Sequence, residues 1–508
     1  AYDALGDAKA KALALRWMGH IQRRTGELDE ALRLYQTALE LLAALDQPEE
    51  QANTLRAIGV VHERRGALSV ALDHYTRALA MLEEHASPRN RLSVLQSVAI
   101  GHYNLGDYRR AKDVFLDVLR GWEDMRDRRR TGATLSNLAA AYKALGDRPR
   151  ALKHLRRALR LHKKLDDPSG EATVLINIGV VHARMGDFLD ALGSYELAMK
   201  IYERINEPDG QALLLGNYGE LYASLGDHAR AETYHQQSLD IWKELGDRVG
   251  EADALFELGT NAAAEGDYES ALATVGRALK FAEETDYARG RARALQGLGE
   301  IHIALRNRDE SLAYLKQAGE LYASLGDKAG ATAALAQLGR AHDELGDRTE
   351  GIRLLKEAER AAWSLRDSSL HVRILGSLAG AHLRSGEPKL ALGAAKTALR
   401  PLEDLLGGFA EEEGATARAL HLDVLSSGTL AAARLGDAAG VIQFMESGRA
   451  SLLLESLDGR GALEWDDLPE ELRIAEADAK AAVARARHEY AQAQKGGKRA
   501  RAEAQALE

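Results

Sequence analysis

The sequence predicts an all-α fold, an α-solenoid of about ten stacked helix hairpins followed by a helical extension. Three observations carry this. A turn dipeptide, usually Gly-Asp or Gly-Glu, recurs every 40 residues, at Gly26, Gly66, Gly106, Gly146, Gly186, Gly226, Gly266, Arg306, Gly346 and Gly386. A small residue stands seven places before each one, at Gly19, Gly59, Ala99, Ala139, Gly179, Gly219, Gly259, Gly299, Gly339 and Ala379. Ala, Leu, Arg and Glu dominate, while only 8 of 508 residues are Pro, a composition suited to helices. A fixed period of this length marks a repeat array, in which each unit buries its apolar face against its neighbours and the solenoid can lengthen freely.

One repeat shows the logic. Residues 251–265 read as a first helix, with Ala254, Leu255, Leu258 and Ala262 at helical spacing. Gly266-Asp267 ends it, because Gly tolerates a left-handed turn and Asp caps the next helix. Residues 268–284 form the second helix, with Ala271, Leu272, Val275, Ala278, Leu279 and Ala282 inward. Gly259 and Ala278 are small where two helix backbones must approach.

Composition sets outer limits. A formal net charge of −10 gives no chain-wide basic footprint for nucleic acid. The absence of cysteine removes disulfides, thiolate zinc sites and a cysteine nucleophile from this chain. No signal peptide and no apolar run near the ~20 residues of a membrane span occur, so a cytoplasmic protein without membrane association is expected. The chain begins at Ala1, and Leu5-Gly6-Asp7 matches the inter-repeat turns Leu245-Gly246-Asp247 and Leu325-Gly326-Asp327. The sequence is therefore expected to open in mid-array, as a piece of a longer protein would.

The pattern Asn177-Ile178-Gly179, His182, Gly186-Asp187, Ala191-Leu192, Tyr195 and Ala198 resembles the tetratricopeptide repeat. So does Asn217-Tyr218-Gly219, Tyr222, Leu225-Gly226-Asp227 and Ala231. The usual unit has about 34 residues. The longer period implies lengthened helices, as in kinesin light chains, spindle-orientation adaptors and many bacterial regulators. The resemblance spans about residues 8–400 and implies a right-handed superhelix with the first helices lining a concave groove. Repeat eight departs from it with Arg306-Asn307, where Asn can hold the turn.

Several columns invite a functional reading. His62, His102, His182, His302, His342 and His382 share one register, which Tyr142 and Tyr222 also fill. Neighbouring helices lie ~8–10 Å apart, and the column holds no acid or thiolate partner. It reads as a packing position, with no metal or cofactor implied. Two places before the small residue stand Trp17, Ala57, Ser97, Asn137, Asn177, Asn217, Glu257, Gly297, Gln337 and Ser377. The family resemblance places this register in the groove, where Asn clamps the backbone of a bound peptide. Asn suits that role because it both donates and accepts. Neighbouring groove registers are apolar at Ile100, Ala140, Ile176 and Val180, acidic at Glu220, Asp253, Glu257 and Glu300, and basic at Arg16, Arg24, Arg56 and Arg64. The predicted peptide-binding set is Asn137, Asn177, Asn217, Ile100, Val180, Glu220 and Glu257, in a groove running from basic to acidic. Arg148, Arg150, Lys153, Arg156, Arg157, Arg160, Lys163 and Lys164 crowd a second helix. Without interleaved aromatics they read as a solvated face or protein dock, and nucleic acid is not the expected partner.

The period breaks after Leu399. The organisation predicted is an array over residues 1–400, a degenerate, lengthened repeat over 401–457, and a linker and long charged helix over 458–508, helical from Pro469 to about residue 494. The stretch Glu446 to Glu455 and Leu468-Pro469-Glu470-Glu471-Leu472 resemble the segment that joins tetratricopeptide arrays to CHAT domains, the caspase- and separase-like bacterial proteases. That resemblance implies a protease domain beyond Glu508. No convergent nucleophile or acid–base set marks this chain itself as an enzyme. The expected function is protein or peptide binding in the groove of a bacterial multidomain regulator, with its own C-terminal domain among the candidate partners. A stand-alone adaptor of the kinesin-light-chain or spindle-orientation type is the alternative, as is the ligand sensor of a transcriptional regulator.

Overall fold

A computed structural model describes residues 8–24, 26–82, 87–185, 187–365, 367–406 and 422–448. Every regular element among them is a helix. Ten hairpins follow the 40-residue period: α1–α2 (Ala8–Arg24, Leu28–Ala44), α3–α4 (Pro48–Arg64, Leu68–Ala80), α5–α6 (Pro88–Asn104, Tyr108–Asp124), α7–α8 (Arg128–Ala144, Arg148–Lys164), α9–α10 (Pro168–Ala183, Phe188–Ile205), α11–α12 (Pro208–Ser224, His228–Leu245), α13–α14 (Arg248–Glu265, Tyr268–Glu284), α15–α16 (Ala288–Ala304, Arg308–Ser324), α17–α18 (Lys328–Glu344, Arg348–Leu365) and α19–α20 (Ser368–Arg384, Pro388–Leu406). An eleventh, α21–α22 (Leu422–Arg434, Ala438–Gly448), completes the described array.

Each turn is held by local chemistry. Gly266 closes α13 in the left-handed region (φ 85°), and the Asp267 carboxylate accepts the Ser270 N–H at 3.0 Å. The same cap recurs at Asp107, Asp147, Asp227 and Asp327. An N-cap of this kind contributes about 1 kcal/mol. Helix α13 begins at Arg248, three residues before the sequence pattern suggested, because Asp247 caps it through Val249 and Gly250. At repeat eight the left-handed residue is Arg306 (φ 59°), while Asn307 occupies the capping place without a capping bond. The turn is thus held by Arg306 in the left-handed conformation and by the Asn307 side chain, whose Nδ2 lies 3.2 Å from His302 Nδ1 across it.

The small residue in each first helix is explained by what lies over it. A side-chain carbon at Gly59 would stand 2.5 Å from the Tyr75 ring and 3.1 Å from the Ala71 carbonyl. Gly259 would meet Val275 Cγ2 at 2.5 Å and its backbone N at 3.1 Å. Close backbone approach and an overlying residue on the second helix both exclude a larger side chain. The eleventh hairpin repeats this: Gly428 would meet Phe444 at 2.4 Å, and Phe444 is fully buried. The unit after the insertion is therefore packed as a full repeat. The predicted helix over 469–494, and most of the stretch that resembles the CHAT linker, lie outside the described residues.

First helices also touch the next first helix directly, as α3 touches α5, α9 touches α11 and α13 touches α15. Second helices make no comparable contact with one another among the described residues. The first helices therefore crowd toward one inner face. The curvature that results brings distant turns together. Leu68 N–H donates to Leu325 O at 3.2 Å, and Arg65 Nε stands 3.7 Å from Asp286 Oδ2. Leu105 lies so close to Gly326 that a side-chain carbon there would stand 3.0 Å from Leu105 Cδ2. The turns inside hairpins two and three thus meet the turns that follow hairpins seven and eight.

Candidate binding groove

Asn137, Asn177 and Asn217 occupy equivalent places on α7, α9 and α11, three consecutive first helices that touch one another, and all three are half-buried. Asn177 Nδ2 donates to Thr173 O at 3.1 Å, and Asn217 Nδ2 to Leu213 O at 2.8 Å. Each bond lies within the residue's own helix and fixes the amide. The Oδ1 atom and the second N–H of each remain for a ligand. Ile100 and Val180 are half-buried and pack against the hydrophobic clusters of their own repeats. They are shared between core and groove and supply less open apolar surface than the sequence suggested. Leu213 supplies more, being 57% exposed one turn from Asn217. Its register is that of Asp253 and Arg293, so the 40-residue period could have found it.

Glu220 and Glu257 differ in their surroundings. Glu220 is exposed, yet the protein around it partly desolvates its carboxyl and raises it above its ordinary range, and the nearby Glu257 charge adds to this, against Arg184, Arg293 and Lys143. Glu257 is also pushed up, first by burial, although the Arg293 guanidinium binds it and draws it back. Arg293 reaches Asp253 Oδ1 at 3.2 Å as well, and its guanidinium sits 4.2 Å over the Phe256 ring. Tyr287 donates to Asp253 Oδ2 at 3.4 Å. The expected acidic end of the groove is therefore mixed in sign. Arg293 neutralises the acids at two of the places singled out, a role the one-residue-at-a-time reading of the registers missed.

The histidine column packs. His62 stacks on His74 with ring centroids 5.2 Å apart, Tyr142 on His154 at 5.3 Å and His302 on Tyr314 at 5.5 Å. His182 and His382 instead bond the turn acids Asp187 and Glu387 through Nδ1, at 2.9 and 2.6 Å, so the column does have acid partners, supplied by the turn five residues on rather than by its own register. On α8, Arg156 and Arg160 are exposed, while Arg150 pairs with Asp147 and Lys163 with Glu171. These ion pairs make α8 a solvated charged helix.

The arrangement defines a helical solenoid with one continuous inner face, built for binding along its length. Tetratricopeptide repeat models match residues 11–84, 90–164, 170–231 and 210–284, with two further models of that repeat at 292–325 and 336–404. The chain belongs to the tetratricopeptide repeat family. No curated protein matches it. Among solved structures it is similar to a Rap protein complexed with competence and sporulation factor (17% identity, TM-score 0.48, covering 70% of this chain and 99% of that one). It is also similar to the apo form of the quorum sensor NprR from B. thuringiensis (18%, 0.42, 71% and 99%). A signal transduction ATPase with a tetratricopeptide repeat sensor from Pyrococcus horikoshii is a third (16%, 0.42, 64% and 52%). No described helix is long and apolar enough to cross a membrane.

Proposed function

We propose that this array is a protein- and peptide-binding scaffold that holds an extended segment of a partner across Asn137, Asn177 and Asn217. One observation carries the reading: three amides in one register on three adjoining inner helices, two of them oriented by a bond to their own backbone. Oriented amides spaced along a groove suit a peptide backbone, whose donors and acceptors repeat whatever its side chains. Leu213 adds an exposed apolar contact beside them.

The whole is read as the sensing or substrate-holding region of a cytoplasmic bacterial regulator, without catalysis of its own. The stretch from Glu446 to Glu455 supports a protease of the CHAT type as the favoured context, with its C-terminal domain as one candidate occupant of the groove.

Replacing all three asparagines by alanine tests the groove. Peptides selected by display on the wild-type array are titrated calorimetrically against both forms. At about 0.5–1.5 kcal/mol per hydrogen bond, the triple change is expected to weaken binding about a hundredfold, with thermal stability unchanged. Unchanged affinity at unchanged stability would move the site elsewhere, with the face around Arg156 and Arg160 the next place to mutate.

A further inference from the structure

The inner face carries a second depression, beyond the acids that Arg293 binds. Two clefts of about 140 and 360 Å³ lie where α17, α19 and α21 meet, the larger reaching α15 as well, and they share Arg340, Ser377 and Asp423. The larger falls within the size range of small-molecule sites.

Asp423 has a partner of its own and Ser377 donates to Arg373 O, but four other groups around these clefts, of both signs, are not matched by a hydrogen bond. Gln337 Oε1 and Arg340 Nε are buried without a hydrogen-bond partner. The carboxylate beside Arg340, Glu344 Oε1, stays 3.7 Å from Nε, too far for a hydrogen bond. Arg373 lines the smaller cleft from its exposed rim and makes no ion pair among the described residues. Glu300 lines the larger one; burial raises its carboxyl, and Arg340 and Arg373 oppose that only through space. Arg384 is different: it also faces the larger cleft, but its Nε is committed to Asp343 Oδ2 at 3.0 Å. Leu370, Ile374 and Val424 form an apolar wall beside the unmatched groups.

A simple anion would serve the arginines and leave Glu300 and Gln337 Oε1 unanswered. A simple cation would do the reverse. A carboxylate and an ammonium on one carbon, carrying an aliphatic chain, would answer Arg340, Arg373, Glu300 and Gln337 together. We infer that these clefts bind a free α-amino acid with an aliphatic side chain. Its carboxylate meets Arg373 and Arg340 Nε, its ammonium meets Glu300 and Gln337 Oε1, and its side chain packs on Leu370 and Ile374. A residue inside a peptide lacks both charges and a terminal residue lacks one, so this site is separate from the asparagine groove.

The test uses the full chain and calorimetric titration with L-leucine, L-isoleucine and L-valine, beside N-acetyl-L-leucine and L-leucinamide. At least one of the three amino acids should bind saturably, and each blocked derivative at least tenfold more weakly than leucine. R373Q and E300Q should each weaken binding tenfold or more, with helix content and melting temperature unchanged. The triple asparagine variant should bind the amino acid as the wild type does, which separates this inference from the groove reading. No binding of any of the three at millimolar concentration would overturn it. So would equal binding of N-acetyl-L-leucine, which would make the site a carboxylate subsite for a chain terminus. Should R373Q fail to fold, the near-isosteric E300Q still decides, since unchanged affinity there would also overturn the inference.

Discussion

Two turns of this chain carry the same three residues in the same place between repeats, Leu245-Gly246-Asp247 and Leu325-Gly326-Asp327. Locally they are alike. The glycines take left-handed φ values of 68° and 74°, and each Asp accepts an N–H three residues on, at 3.0 and 2.8 Å. Yet Leu245 is 45% exposed and Leu325 only 6%. Leu45 and Met125, at the same position of other repeats, are also exposed. The difference lies outside the repeat. The curvature of the array seats Leu325 against Gly66, where even one added side-chain carbon would stand 3.0 Å from Leu325 Cδ2. An identical sequence thus ends a helix in the same way twice, and its burial is decided by Gly66 and Leu68, several repeats away in the chain.

The contrast separates stability that is local to a hairpin from stability that depends on closure between turns. The largest expected effect belongs to the local part. His235 is buried opposite Gly219, where Tyr35, Tyr75 and Tyr195 stand opposite Gly19, Gly59 and Gly179 in other repeats. Its Nδ1 has no partner, and burial lowers its pKa from 6.5 to about 4. The unfolded chain therefore takes the proton more readily. The stability is present above pH 6.5 and is lost as pH falls toward 4, by up to about 3 kcal/mol for this group. H235Y should remove that part of the acid sensitivity in denaturant melts run across this pH range. L325A should leave the acid sensitivity in place, because residues far apart add independently. Retention of the full acid loss in H235Y would place it elsewhere.

The next effect addresses closure. L325A should cost about 2 kcal/mol, the scale of a leucine side chain removed from a packed site. L245A should change stability by less than about 0.5 kcal/mol, as exposed substitutions do. Equal losses in thermal or urea melts would break the comparison and return both turns to a local account. A smaller effect than that of L325A is expected at Arg65, whose Nε faces Asp286 at 3.7 Å across the same junction while Asp286 is largely exposed. R65A should cost less than about 1 kcal/mol and lose even that in high salt. Arg65 also binds Asp29, so D286N is the matched control: a larger, salt-insensitive loss in both variants would show that the ion pair rather than Leu325 holds the two turns together.

The candidate groove was legible to the extent that periodicity reports position. The register of Asn137, Asn177 and Asn217 can be counted from the small residues Ala139, Gly179 and Gly219, and all three asparagines fall on adjoining inner helices. What periodicity could not report is which side chains answer one another. Arg293 binds Asp253 and Glu257 from the next repeat, so acids that looked open in the sequence are partly neutralised. Ile100 and Val180 sit at the edge of the core, where a helical register leaves a residue half in and half out. The clefts around Arg340 and Arg373 had no signal of their own, since they arise where four first helices and their side chains converge.

The sequence by itself determined the unit. Its glycine and aspartate turns, the small residue seven places earlier and the apolar spacing specify a helix hairpin, and nearest-neighbour packing specifies how one hairpin meets the next. Those instructions act over tens of residues, so they can be read from local pattern. The tertiary structure alone decided where the array curves back on itself, which turns become buried and which charges meet on the inner face. These depend on the sum of many small rotations between repeats. No single repeat encodes that sum, and Leu325 and Leu245 differ because of it.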